Sequence, residues 1–171
     1  MLDRLVDLLL QFIGLFKFWV VMQPFEAGVQ IRLGKFVRVL EPGFHWMLPL
    51  GIDTFEHEHT VPRTHTLEQQ SVTLADGKQV GFQAVITYKV RDIKMALLEI
   101  EDSEHAIRDA CAGTIAHTVS RCTWHELVET DDWVDKVTKA CRQRGFRFGL
   151  EITSVQFATL SIVKTIRLLN R

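Results

Sequence analysis

Residues 25–50 read Phe25-Glu26-Ala27-Gly28-Val29-Gln30-Ile31-Arg32-Leu33-Gly34-Lys35-Phe36-Val37-Arg38-Val39-Leu40-Glu41-Pro42-Gly43-Phe44-His45-Trp46-Met47-Leu48-Pro49-Leu50. Gly34-Lys35 separates two runs in which apolar and polar residues alternate, and Pro42-Gly43 makes a second break. Two short strands joined by a turn are predicted. Period-two alternation marks a half-buried strand, and glycine accepts the positive φ of a tight turn.

The β pattern continues downstream. A strand is predicted from about Thr66 to Leu74, presenting Leu67, Val72 and Leu74, with Gln69 and Gln70 interrupting it as a bulge would. Asp76-Gly77 supplies a hairpin turn. Val80, Phe82, Ala84, Ile86 and Tyr88 then alternate with Gln79, Gly81, Gln83, Thr87 and Lys89, the clearest strand in the chain.

Beyond Asp92, an N-cap candidate, the period changes. Ile93 to Ile100 is a compact apolar run, and Ser103 has the chemistry to cap a longer helix. Ile107, Cys111, Ile115 and Val119 recur every four residues, the core stripe of a helix of about five turns. Thr123 begins a short turn, Asp131 or Asp132 caps a helix carrying Trp133, Val137 and Cys141, and Gly145 is its stop. Phe148 to Leu160 reads as one long returning strand. The fold class is therefore α+β, with a β-rich first half and a helical second half closed by a C-terminal strand.

Upstream, Leu5 to Met22 is dominated by Leu, Phe, Val, Ile and Trp, and as a helix it reaches about 27 Å, near membrane thickness. Asp3, Arg4, Asp7, Gln11 and Gly14 fall within one arc, so a polar stripe runs along the first turns. Leu5, Leu8, Leu9, Phe12, Ile13, Phe16, Phe18, Trp19, Val20 and Val21 are the membrane-associating candidates. A single span, a helix lying in the interface and an amphipathic helix on a soluble core all stay open. No basic leader or small-residue cleavage pattern marks a secretory signal, so the segment is expected to stay attached. Lys17, Arg32, Lys35 and Arg38 follow it while Arg4 precedes it, which puts the globular part on the cytoplasmic side.

The 171 residues carry a formal net charge of −1, which gives no reason to expect nucleic acid as a partner. The 3 cysteines are an odd number at long spacings and read as reduced core thiols. His57, Glu58 and His59 form the only ligand-like cluster; in a strand the two histidines share a face, but a tetrahedral site needs a third or fourth ligand, so no metal or other cofactor is expected. There is no Gly-x-Ser-x-Gly elbow and no phosphate-binding glycine loop. Cys111 and His117 lie six positions apart, on different faces of a helix, so no catalytic pair is expected there.

Charge is unevenly placed: acids dominate between Asp92 and Asp132, and bases beyond Lys136. One protomer's acidic side, with Glu101, Asp102 and Glu104, could thus meet another's basic end, with Arg142, Arg144 and Arg147.

Glu26-Ala27-Gly28-Val29, Arg32-Leu33-Gly34-Lys35, Leu40-Glu41-Pro42-Gly43-Phe44-His45 and Leu48-Pro49 occur in the order and spacing of the band 7 (SPFH) domain of stomatin, prohibitin and flotillin. Val72-Thr73-Leu74-Ala75-Asp76-Gly77 and Ala84-Val85-Ile86-Thr87-Tyr88-Lys89-Val90-Arg91-Asp92 extend the likeness, which covers roughly Trp19 to Leu160. The chain resembles a short member of that family without its long coiled coil. The resemblance implies a membrane-associating helix over 1–22, a band 7 domain over 23–160 and a short helical tail over 161–171. It also implies a non-catalytic scaffold at membrane lipid that assembles with copies of itself and organises membrane proteins or lipid microdomains. Co-assembly with a longer band 7 protein or a membrane-bound AAA protease is the alternative. A metal-dependent enzyme built on His57 and His59 is the reading from a different class.

Overall fold

The computed structural model describes residues 18–163. They form two compact units, one of residues up to Val61 with Asp92–Glu101, the other of Pro62–Arg91 and the chain from Asp102 onward.

In the first unit, strands β1 (Trp19–Met22) and β4 (Gly43–Trp46) pair as an antiparallel ribbon. Strand β2 (Glu26–Arg32) is the centre of a second sheet, flanked by β3 (Lys35–Leu40) and β5 (Asp53–His59). Met22, Val29, Leu40, Met47, Ile93 and Ala96 form its core. Gly28 makes the close packing possible: a Cβ there would stand 2.5 Å from the Glu56 carbonyl oxygen and 3.1 Å from Met22 Cε. The apolar run after Asp92 forms one π-helical turn, Met95–Glu99, with the Asp92 carboxylate accepting from the Met95 N–H at 3.1 Å.

The second unit is a sheet built on β8 (Gln79–Val90). Strands β6 (Arg63–Thr66) and β7 (Gln70–Thr73) pair with successive parts of it, and β9 (Leu150–Ile162) with its whole length, from Val80↔Ile162 to Val90↔Leu150. Helices α1 (Ser103–Val119), α2 (Trp124–Glu129) and α3 (Asp132–Gly145) complete it. Ile107, Cys111, Ile115 and Val119 of α1 are wholly buried, as the four-residue spacing predicts, and each such aliphatic chain contributes about 1.5–3 kcal/mol. Phe157 of β9 joins helix to sheet, its ring 4.5 Å from Trp133 and 6.0 Å from Phe82. The Cys111 and Cys141 thiols meet between α1 and α3; this hydrogen bond and burial push the Cys111 thiol up.

Several expectations need correction. The predicted helix does not include Trp19–Met22, which is strand because its backbone pairs with Gly43–Trp46. Leu5, Leu8, Leu9, Phe12, Ile13 and Phe16 lie outside the described residues. The predicted tail loses Ser161 and Ile162 to β9, where they pair with Gly81 and Val80, and its remainder from residue 164 lies outside the described residues. The single strand over Thr66–Leu74 is two strands, since the Leu67 N–H turns to the Ala84 carbonyl at 2.8 Å and the chain rejoins the ladder only at Gln70. Asp102, not Ser103, caps α1, accepting from the His105 N–H at 2.8 Å. Phe148 ends a 3₁₀ turn, because Gly149, at φ 70°, breaks the chain before β9.

Candidate functional site

In an antiparallel pair, residues directly opposite share a face. Trp19 faces Trp46 and Val21 faces Phe44, so one side of the β1–β4 ribbon carries four apolar side chains. All four are exposed, Trp19 at 57% and Trp46 at 66%, and the Phe44 and Trp46 rings meet edge to face at 5.4 Å. A contiguous exposed patch of large apolar groups is uncommon on a soluble surface and marks a place where something apolar docks. Trp19 also lines an open cavity of about 460 Å³ with Met47, Leu48, Pro49, Leu50 and Phe55.

Two turns extend this character. The β2–β3 hairpin turns at Leu33-Gly34, with φ 50° and 78°, and Leu50-Gly51 turns at φ 63° and 74°. Positive φ at both central residues is the signature of a type I′ turn, which prefers Asn-Gly; a leucine in the left-handed region costs about 1–2 kcal/mol. The two turns are adjacent, the Leu33 N–H donating to the Ile52 carbonyl at 2.9 Å. Leu33 is 77% exposed and Leu50 59%. Both leucines are strained and wet, a combination that water alone does not reward.

A buried polar network holds this surface in place. Asp53, at the start of β5, accepts from Arg32 Nε at 2.7 Å, Arg32 Nη2 at 3.0 Å, Gln30 Nε2 at 2.7 Å and the Leu48 N–H at 2.7 Å. Arg38 Nε donates to Gln30 Oε1 at 2.8 Å, and Arg38 Nη2 reaches the Trp46 carbonyl at 3.5 Å. Arg32 first, then the Leu48 amide and Gln30, hold the Asp53 carboxyl down at about 2, against the opposing effect of burial. Three strands, the ribbon and the loop before Leu50 are thereby tied to one carboxylate.

Sequence reasoning missed Asp53 and Gln30, since a polar residue alternating in a strand normally faces water. It missed the turn leucines Leu33 and Leu50 as well, although an apolar residue directly before a glycine at a strand break is a signal that could have found them. The turn itself falls at Leu33-Gly34, one position before the predicted Gly34-Lys35.

His57 and His59 do lie on one strand, but their rings pack on phenylalanines: His59 stacks on Phe25 at 5.5 Å and His57 meets Phe55 at 5.8 Å. Among the described residues no three His, Cys, Asp or Glu side chains group as metal ligands. Of the six charged contact candidates, three are engaged within the chain. Asp102 caps α1, Glu104 pairs with Arg63 at 3.6 Å, and Arg142 donates to the Ile152 and Thr153 carbonyls at 2.9 and 3.1 Å. Glu101, Arg144 and Arg147 are exposed. Of the membrane-associating candidates described, Phe18, Trp19 and Val21 are exposed and Val20 is half-buried. No helix among the described residues is long and apolar enough to cross a membrane.

The chain belongs to the SPFH domain / Band 7 family, whose model matches residues 20–167. That family includes membrane-associated scaffold proteins. The chain is 26% identical to an uncharacterized protein of Methanocaldococcus jannaschii, over 87% of this chain and 76% of that one. It is 29% identical to a Band 7 protein of Drosophila melanogaster, over 67% of this chain and 23% of the relative. It is 30% identical to a stomatin-like protein of Caenorhabditis elegans, over 56% and 30% of the two chains. The match thus spans less than a third of either animal protein.

Proposed function

We propose that this protein is a non-catalytic scaffold that attaches to membrane lipid through the apolar face of its first unit and its leading segment, and assembles with copies of itself. The observation that carries the reading is the exposed set Trp19, Val21, Phe44 and Trp46, beside the strained leucines Leu33 and Leu50. Tryptophan favours the membrane–water interface, where its ring is solvated by headgroups and acyl chains together. The apolar stretch Leu5–Phe16 ends three positions before Trp19, so both apolar features lie close together along the sequence. Family membership supports the membrane scaffold role, and Lys17, Arg32, Lys35 and Arg38 following the leading segment, against Arg4 before it, support a cytoplasmic side for the globular part.

Flotation with phospholipid vesicles tests the attachment. A truncation should stop at residue 17, because removing Trp19–Met22 as well would delete β1. The full chain floats, the truncated chain floats weakly through its ribbon, and the truncated chain with Trp19→Ser and Trp46→Ser stays in solution. In mild detergent the full chain is larger than a monomer. A full chain that is monomeric and indifferent to vesicles ends the proposal.

A further inference from the structure

A polar cluster in the second unit takes no part in the membrane reading. Arg108, half-buried in α1, forms no ion pair with a carboxylate among the described residues. Its donors go to neutral acceptors instead. Nε meets the Glu104 carbonyl at 3.3 Å, Nη1 meets His65 Nε2 at 3.3 Å and Nη2 meets His105 Nδ1 at 3.1 Å. A guanidinium has only N–H donors, so each of those imidazole nitrogens accepts with its lone pair.

The three side chains line an open cavity of about 360 Å³, with Leu67, Gln70 and Asp109 among its other walls. Gln70 Oε1 is buried and meets no donor. A buried acceptor left unpaired is costly, and an arginine held by imidazoles has kept its capacity for a two-oxygen anion, which it binds more strongly than a neutral group.

We propose that this cavity binds a small phosphate or sulfate ester of a polyol, with Arg108 holding the oxyanion and Gln70 accepting from a neighbouring hydroxyl. The other charged groups facing the cluster are Glu68 and Asp109 on the cavity wall, with Asp109 Oδ2 3.7 Å from His105 Nε2. Glu104 is paired with Arg63. Tyr88, pushed up to about 12 by burial and then by Glu104, stays neutral.

The test is calorimetric titration of the full chain in mild detergent with sulfate, inorganic phosphate and glycerol 3-phosphate. Glycerol 3-phosphate is expected to bind more tightly than inorganic phosphate, and Gln70→Leu to erase that preference. Arg108→Gln is expected to weaken every probe by roughly tenfold or more, and Arg108→Lys, which keeps the charge but loses the fork, by less. Circular dichroism shows whether each variant is folded, and Arg108→Lys carries the comparison if Arg108→Gln is not. Vesicles rich in phosphatidylglycerol locate the ester: weaker flotation of Arg108→Gln places it on a lipid headgroup, and unchanged flotation places it in solution. No binding of any probe at millimolar concentration, or equal binding by wild type and folded Arg108 variants, overturns the site. None of these substitutions touches the apolar face, so this failure is separate from failure of the membrane reading.

Discussion

Arg32 and Asp53 stand opposite each other on β2 and β5, and the guanidinium holds the carboxylate by two hydrogen bonds of 2.7 and 3.0 Å. The same carboxylate accepts from Gln30 and from the Leu48 amide, so its removal leaves buried donors without an acceptor. Asp53→Ala should cost about 2–3 kcal/mol. It should also loosen the Leu48–Ile52 loop, seen as faster amide exchange at Leu48. The pH dependence has a definite sign. The folded carboxyl is held near 2 against an ordinary 3.8, so its contribution is complete above about pH 4 and is lost as pH falls through 2. Chemical denaturation from pH 5 to pH 2 should show this loss in the wild type and a shallower one in Asp53→Asn.

Asparagine accepts the left-handed backbone that leucine resists. Leu33→Asn/Leu50→Asn should therefore raise the unfolding temperature while weakening vesicle binding, because the turns relax as the apolar tips disappear. Up to about 1.5–3 kcal/mol of transfer energy is at stake for each leucine that inserts fully. A variant both more stable and equally adherent would separate the turn strain from membrane contact.

Two glycines in helices should respond in opposite directions. Around Gly113, in α1, a Cβ finds open space, so Gly113→Ala should stabilise by about 0.5–1 kcal/mol. At Gly145, closing α3, a Cβ would stand 2.9 Å from the Leu150 carbonyl oxygen and 3.1 Å from Ile152 Cγ1. Gly145→Ala should destabilise by about 1–2 kcal/mol despite alanine's better helix propensity, because backbone must move. Thermal unfolding of the two variants decides this.

Self-assembly through opposite charges now has a narrower test. Arg142 is committed to the carbonyls of β9, so reversing it would disturb the fold as well as any contact. Arg144→Glu/Arg147→Glu leaves those bonds intact and should shift the detergent-solubilised protein toward smaller species by native mass. An unchanged mass distribution removes these two arginines from the interface.

The periodic elements were the legible ones. The α1 stripe and the alternation of β8 announce themselves because each buries one face, and burial imposes its period on the sequence. Trp19–Met22 misled for the same reason. A short apolar run preceding a glycine-punctuated β region has no period of its own, and its strand state comes from pairing with Gly43–Trp46, which sequence spacing does not reveal. The Asp53 network was hidden because its members are far apart in sequence and each looks like an ordinary surface residue. The cluster at Arg108 was hidden likewise, since His65 and Arg108 are 43 positions apart and meet only when β6 and α1 are assembled.

The thiols of Cys111 and Cys141, sealed between α1 and α3, give the second unit an internal clock. A maleimide reaches neither sulfur until the helices part, whereas half-buried Cys122 is open to slower surface reaction at any time. The delay between the first adduct and the next two therefore measures how often the helical layer breathes, without a probe being added.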